Sequence, residues 1–337
     1  MVKRCKPLLG TLVEVSCTAK DTATELAACT AAFAAVQRVH TLMSYQSFDS
    51  ELHAFNALGY MQYAQAATEF IAVLQFCNRL SAASGGIFDV TAGPRNKALQ
   101  EHQARRTHSA HSAHSTHESA RALAVNALSG CWQDIEIDAP NQRLRKHAPL
   151  QIDLSGVAKG YAVDVAVHAM QAAGATSGHL NAGGDCRVFG NTQRLVKVRA
   201  PWDLAYTIDL PALHNASLAT SASYFLNAPA MAHGITGKLA DPSISVTVVA
   251  PSCMAADALT KIVALTQNSE HPVLAAYCAT AWLLKEPACE ETRLGATTIS
   301  STRLDKTTPN ELAPHKTKTV HNKTALSETT ANEATHA

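Results

Sequence analysis

The chain has 337 residues, 47% of them hydrophobic, with 28 lysines and arginines against 27 aspartates and glutamates and a net charge of +1. That much apolar material excludes wholesale disorder, and the length suits one large domain or two lobes. The balanced charge and an aromatic content of 5% exclude a dedicated nucleic-acid binder, which carries a basic face and stacking rings.

At the N-terminus Lys3 and Arg4 precede Cys5 with no apolar core or small-residue cleavage site, so no signal peptide is read. No run of about 18 apolar residues is present to span a membrane. The nine cysteines, at positions 5, 17, 29, 77, 131, 186, 253, 278 and 289, include no CxxC pair. An odd, dispersed set suits reduced core thiols in a cytoplasmic protein better than a disulfide framework or a zinc site.

In chain order, residues 6–17 read as a strand about a Gly10-Thr11 turn, and the Ala-rich stretch 22–43 as a helix. A second helix is expected over 61–83, stopped by Ser84-Gly85-Gly86. Residues 101–121 change character: His108, His111, His114 and His117 recur among Ser, Ala and Thr. This tract reads as a solvated low-complexity insertion or as a weak metal binder. Trp132 to Arg145 reads as a hairpin about Ala139-Pro140-Asn141, and residues 151–154 as a strand entering a glycine turn and a helix closed by Gly174. HLNAGGDCRVFG reads as two strands about Gly183-Gly184, 243–251 as a β-branched strand and 253–266 as a helix. Residues 1–300 thus form one domain interrupted by the insertion, and 301–337 read as a disordered tail.

Several segments carry chemistry. Ser84–Asp89 and Asn181–Asp185 each set small residues beside a carboxylate, which suits either a turn or a backbone cradle for phosphate. Neither matches GxGxxG or a Walker loop. Asp153 and Lys159 flank a glycine turn that opens a helix, an arrangement equally suited to an ion pair and to an anion site. Asp257 stands in an apolar helix with Thr260 and Lys261 on the same face. A buried acid there needs a cation or an ion-pair partner. GxSxG and HExxH motifs are absent.

Taken in order, PLLGTLVEV, MSYQSFDSELHAFN, SGGIFDVTAGP, QIDLSGVAKGYAVDVA, HLNAGGDCRVFG, SLATSASYF and SVTVVAPSCMAADALTK resemble the ApbE family of FAD:protein FMN transferases, over about residues 7–261. The resemblance implies an α+β fold, with mixed and antiparallel sheets and flanking helices around a single flavin cleft. It implies FAD as substrate, Mg2+ as cofactor, and transfer of FMN to a Thr or Ser hydroxyl of an acceptor protein with release of AMP. By the same resemblance Leu9, Tyr45, Ile87, Phe88, Asp89, Asp153 and Lys159 contact FAD, and Asn181, Gly183, Gly184 and Asp185 line its cleft. The Gly156 carbonyl, Asp257 and Thr260 are the expected metal oxygens, and Asp257, Lys261 and His233 the expected catalytic groups. Any acceptor then meets the enzyme in the cytoplasm or at the inner face of a membrane.

Two positions depart from the family pattern. The metal-site helix usually reads Asp-Ala-Leu-x-Thr, whereas here Lys261 stands at i+4 and Thr260 at i+3. Either Thr260 takes over as ligand, or Lys261 supplies its charge directly to the pyrophosphate, since an ammonium has donors only. His233–Lys238 is shorter than the family's His-x-x-Asp-Pro-x-Thr-Gly loop. Leu294–Thr298 loosely resembles a Gly-Ala-Thr flavinylation site. Two alternatives stay open, FAD pyrophosphate hydrolysis with water as acceptor, and a flavin-binding protein that has lost its chemistry. AMP release with an acceptor present separates the transferase from the hydrolase, and binding without any AMP identifies the form that has lost its chemistry.

Overall fold

A computed structural model describes residues 1–97, 128–203, 205–222 and 231–286, with the short strands at 296–297, 299–301 and 320–321. Strands β1 (Val2–Leu8) and β2 (Thr11–Thr18) pair antiparallel up to Leu8 opposite Thr11. Leu9 and Gly10 therefore make the whole turn, both at positive φ (54° and 69°). That geometry matches the twist of a two-residue hairpin, costs glycine little and strains a leucine. Residues 6–17, read as one strand with a turn at Gly10-Thr11, are thus corrected to parts of two strands joined by Leu9-Gly10.

Helix α1 (Thr22–Met43) begins where the Asp21 carboxylate accepts the Thr24 amide at 2.7 Å. It buries Ala28, Ala32, Val36 and Val39 at helical spacing. Helix α2 (Glu51–Ala57) follows, then β3 (Tyr63–Gln65) and helix α3 (Thr68–Ala83). The single helix expected over 61–83 is thus corrected to a strand and a shorter helix. Tyr63 explains the difference: it pairs opposite Arg145, and the Arg143 and Arg145 guanidiniums lie over its ring at 4.5 Å. Helix α3 starts only after the Glu51 carboxylate accepts the Ala67 amide at 2.6 Å. Strands β4 (Ile135–Asp138) and β5 (Arg143–Lys146) complete a three-stranded sheet in the order β3–β5–β4.

Residues 151–154, expected as a strand, form no ladder. The Asn56 side-chain amide takes the place of a partner strand, donating to the Ile152 carbonyl and accepting its amide, both at 2.8 Å. The chain then enters α4 (Ala158–Ala172), β6 (Ser177–Ala182), β7 (Asp185–Phe189), the β8–β9 hairpin (Gln193–Arg199 and Thr207–His214) and β10 (Ser217–Ala222). After β11 (Ser245–Ala250) come helix α5 (Cys253–Thr266), the short α6 (Val273–Ala276) and β12 (Thr280–Leu284). The main sheet is antiparallel, in the order β1–β2–β6–β7–β10–β11–β12, with residues 299–301 at its far edge. Ala296–Thr297 pairs with Val320–His321, so two short strands include residues of the segment read as a tail. The histidine tract at 101–121, most of the tail and Leu294, Gly295 and Thr298 of the acceptor-like motif lie outside the described residues. No described helix is long and apolar enough to cross a membrane.

Helices α1, α4 and α5 pack together over the sheet. Val13, Val15 and Leu180 meet Ala32, Val36, Val163 and Val167 in one buried cluster. The smaller sheet shares a second cluster with α5, where Ile135 and Leu144 join Leu259 and Ile262. Helices α4 and α5 approach backbone to backbone. A Cβ at Gly160 would stand 2.3 Å from the Cys253 carbonyl oxygen, inside van der Waals contact. One turn further along α4, the Asp164 carboxylate accepts the Cys253 and Met254 amides, each at 2.9 Å, and pairs with Arg187. A carboxylate at a helix N-terminus satisfies amides that have no intrahelical partner.

Because backbone rather than a flexible side chain fills the space at Gly160, Gly160→Ala should cost about 3 kcal/mol, within the range for forced overpacking. A thermal melt followed by circular dichroism checks this, and an unchanged midpoint would show that the two helices part without cost.

Candidate active site

Lys159, next to the α4–α5 contact, and Lys261 of α5 both line a cleft with a volume of about 330 Å³. The Ser84–Asp89 turn supplies one part of its wall. The Gly86 amide donates to the Ser81 carbonyl at 2.7 Å and the Phe88 amide to the Ser84 hydroxyl at 3.2 Å, which holds Ile87, Phe88 and Asp89 in the cleft wall. The turn before α4 supplies Asp153, Gly156 and Lys159; the β6–β7 turn supplies Gly183; α5 supplies Lys261. Eight residues chosen from the sequence thus meet on one surface. Asp185, Asp257 and Thr260 lie behind it, at most 1% exposed.

The remaining candidates stand elsewhere. Leu9 and Tyr45 pack against the core rather than line this cleft. Asn181 and Gly184 line an adjoining groove beside β8, which shares Gly183 and Thr220 with the cleft, and the Asn181 side chain accepts the Gly184 amide at 3.0 Å. His233 holds its own turn together, with Nδ1 accepting the Ile235 and Thr236 amides at 3.2 and 3.4 Å. Its neighbour Gly234 donates to the Ile87 carbonyl at 3.0 Å, so the shortened loop braces the Ile87 segment.

The charges alternate. Lys159 Nζ donates to Asp185 Oδ2 at 2.5 Å. The Asp153–Lys159 pair that their spacing suggested is therefore not formed; Asp153 instead accepts the Ser155 amide at 2.8 Å. Lys261 donates to Asp257 Oδ1, as the i,i+4 spacing suggested, and Asp257 Oδ2 accepts the Gly160 amide at 3.1 Å. Burial pushes the Asp185 carboxyl up to about 7, with the negative charge of Asp257 adding to the effect and Lys159 opposing it. Burial also pushes Asp257 upward, but the Lys261 and Lys159 ammoniums and the Gly160 amide outweigh it and hold that carboxyl below its ordinary value. Lys159 is disfavoured as an ammonium by burial, yet Asp185 and Asp257 carry its pKa above the usual lysine range. At Asp89 burial dominates and raises the carboxyl, against hydrogen bonds from Thr91 and the charge of Arg95.

Two hydroxyl residues of the site, Thr220 and Ser221, were not singled out from the sequence. Ser221 Oγ lies 2.7 Å from Thr260 Oγ1 and accepts Lys261 Nζ at 3.0 Å, while Thr220 Oγ1 lies 2.9 Å from Thr247 Oγ1. Their signal was a run of small hydroxyl residues, SLATSAS, at the end of a strand.

These oxygens do not fit Mg2+, which demands several near-octahedral oxygen ligands. Both Asp257 oxygens are engaged, the Thr260 hydroxyl donates to the Asp257 carbonyl at 2.6 Å, and an ammonium stands among them. Among the described residues no group of three or more His, Cys, Asp or Glu side chains is placed to hold a metal.

Residues 9–281 match the model of the ApbE family. The chain is 26% identical over 248 residues to the FAD:protein FMN transferase of Haemophilus influenzae, covering 67% of this chain and 68% of that protein. It is 28% identical over 243 residues to the FAD:protein FMN transferase of Vibrio cholerae, covering 66% and 69%. The fold matches the apo crystal structure of the Pseudomonas stutzeri flavinyl transferase ApbE with a TM-score of 0.69 at 20% identity, covering 90% of this chain and 94% of that one. It matches the Vibrio cholerae flavin transferase ApbE with a TM-score of 0.66 at 22% identity, covering 85% and 94%.

Asp185 gives the site a pH signature. A carboxyl raised from 3.8 to about 7 on folding contributes stability that is full below the unfolded value and is lost as pH rises through the folded one. Denaturant midpoints measured between pH 4 and pH 8 should therefore fall less steeply with pH in Asp185→Asn than in the wild type. Parallel profiles would show that Asp185 ionises normally in the folded protein.

Proposed function

The chain belongs to the ApbE family, and we propose that it acts as an FAD:protein FMN transferase, moving the FMN half of FAD onto a Ser or Thr hydroxyl of an acceptor protein and releasing AMP. The observation that carries this reading is the convergence of two ammonium groups, Lys159 and Lys261, with the apolar Ile87 and Phe88 on one cleft. An isoalloxazine ring needs an apolar wall, and a pyrophosphate needs fixed positive charge.

The proposed reaction is a single phosphoryl transfer. The acceptor Oγ attacks the phosphorus of the FMN half, a new P–O bond forms, and the bond from that phosphorus to the bridging oxygen breaks. AMP leaves with the bridging oxygen, and the hydroxyl proton passes to solvent. Little covalent help is required of the protein, whose work is positioning and offsetting charge on the phosphate oxygens. Lys159, oriented by Asp185, and Lys261, oriented by Asp257 and Ser221, supply that charge. The Mg2+ implied by the family resemblance does not enter this step, because the Asp257 and Thr260 oxygens are already bonded within the protein and an ammonium stands among them. A cytoplasmic setting belongs to the same reading, supported by cysteines dispersed without a CxxC pair.

Incubation with FAD and an acceptor protein carrying a flavinylation site, read by mass spectrometry and AMP detection, tests the proposal. One FMN ester per acceptor and an equal yield of AMP are expected. Lys159→Met should lower the rate about a hundredfold, the scale of losing one charge-stabilising donor. AMP without acceptor modification would identify a hydrolase, and bound but unchanged FAD a flavin-binding protein; either would overturn the transferase reading.

A further inference from the structure

Lys261 sits inside the oxygen set that the family resemblance assigns to a metal ion. Its Nζ donates to Asp257 Oδ1, to Ser221 Oγ at 3.0 Å and to Thr260 Oγ1 at 3.2 Å, so three acceptors meet the three donors of an ammonium. The stem of the side chain crosses Gly156. A Cβ at that position would stand 3.1 Å from Lys261 Cε and 3.7 Å from Cδ and Cγ, so glycine leaves the methylenes their path. The Lys261 side chain is 15% exposed and lines the cleft, whereas Asp257 is 1% exposed. This is a cation held in a built socket, in contrast to a helix-surface ion pair open to solvent on all sides.

We propose that Lys261 is the resident cation of the pyrophosphate site, an ammonium built into the chain where a divalent ion would otherwise bind, so that this protein takes up FAD without Mg2+. The proposal rests on the FAD-binding reading given above. A dication entering the same socket would meet the ammonium at contact distance and find both Asp257 oxygens engaged. Thr260, one position away from the family's ligand position, spends its hydroxyl on the Asp257 carbonyl and on Ser221. The 3.2 Å bond to Thr260 is the longest of the three. It is the one that a phosphate oxygen would replace, leaving Asp257 and Ser221 to hold the ammonium in position. Lys159, oriented by Asp185 at 2.5 Å, is the second ammonium lining the same cleft.

The test compares FAD uptake, followed by flavin fluorescence, in EDTA and in millimolar Mg2+, alongside Mn2+ titrations read by the free-ion EPR signal. The wild type should bind FAD equally in the two buffers. Its Mn2+ uptake should match that of Asp257→Asn, so that any binding by the histidine tract cancels. Lys261→Thr should gain an Asp257-dependent Mn2+ site and bind FAD about tenfold or more weakly in EDTA than in Mg2+, the scale of a lost charge-assisted contact. Wild-type FAD affinity that collapses in EDTA, or stoichiometric Mn2+ uptake lost in Asp257→Asn, would overturn the proposal while leaving the FAD reading intact. A wild type that binds no FAD in either buffer would overturn the FAD reading and this proposal with it. The wild-type comparison decides the matter even if Lys261→Thr fails to fold.

Discussion

Two helices meet backbone to backbone where Gly160 of α4 lies against the Cys253 carbonyl of α5, and the cleft is a consequence of that contact. Along α5, Cys253, Asp257 and Lys261 follow one another at intervals of four and share a face. Along α4, Gly160 and Asp164 do the same. Bringing these two faces together puts the Asp257 carboxylate on the Gly160 amide and the Asp164 carboxylate on the first amides of α5. Lys159, one residue before the contact, reaches Asp185 at the start of β7. A larger residue at position 160 would part the helices, and the four charged groups would lose their common origin.

The same contact explains why two aspartates of nearly equal burial behave differently. Asp257 receives an amide hydrogen bond and the fields of two ammoniums, so its charge is held. Asp185 has Lys159 but also faces Asp257, and burial carries its carboxyl up to about 7. Buried ion pairs of this kind contribute little net stability, since desolvation offsets much of their attraction. Their effect here is positional: each carboxylate fixes an ammonium at the wall of the cleft.

Much of this was legible in the sequence. The Ala-rich run over 22–43 and the apolar run over 253–266 marked α1 and α5, because helical periodicity is a local signal. The family resemblance named eight residues that line the cleft, since those residues lie in compact blocks that stay together when the chain folds. Residues whose role depends on a distant partner were harder to read. Tyr63 looked helical until Arg143 and Arg145 covered it, and Ile152 looked like a strand residue although its partner is a side chain nearly a hundred positions away. Asp164 sits in an ordinary helical pattern, and no local feature reveals the helix end that it caps. Thr220 and Ser221 are small hydroxyl residues whose significance appears only when Thr247, Thr260 and Lys261 are placed around them.

The proposed anion site of this protein is made of its own two ammonium groups, Lys159 and Lys261, placed beside the α4–α5 contact. A crystal structure of the protein with FAD, grown in EDTA, tests that most directly. The FAD pyrophosphate is expected within hydrogen-bonding distance of Lys159 and Lys261, with the flavin ring against Ile87 and Phe88. A pyrophosphate seated elsewhere, in the groove beside β8 for example, or ordered only in crystals supplied with a divalent cation, would contradict it.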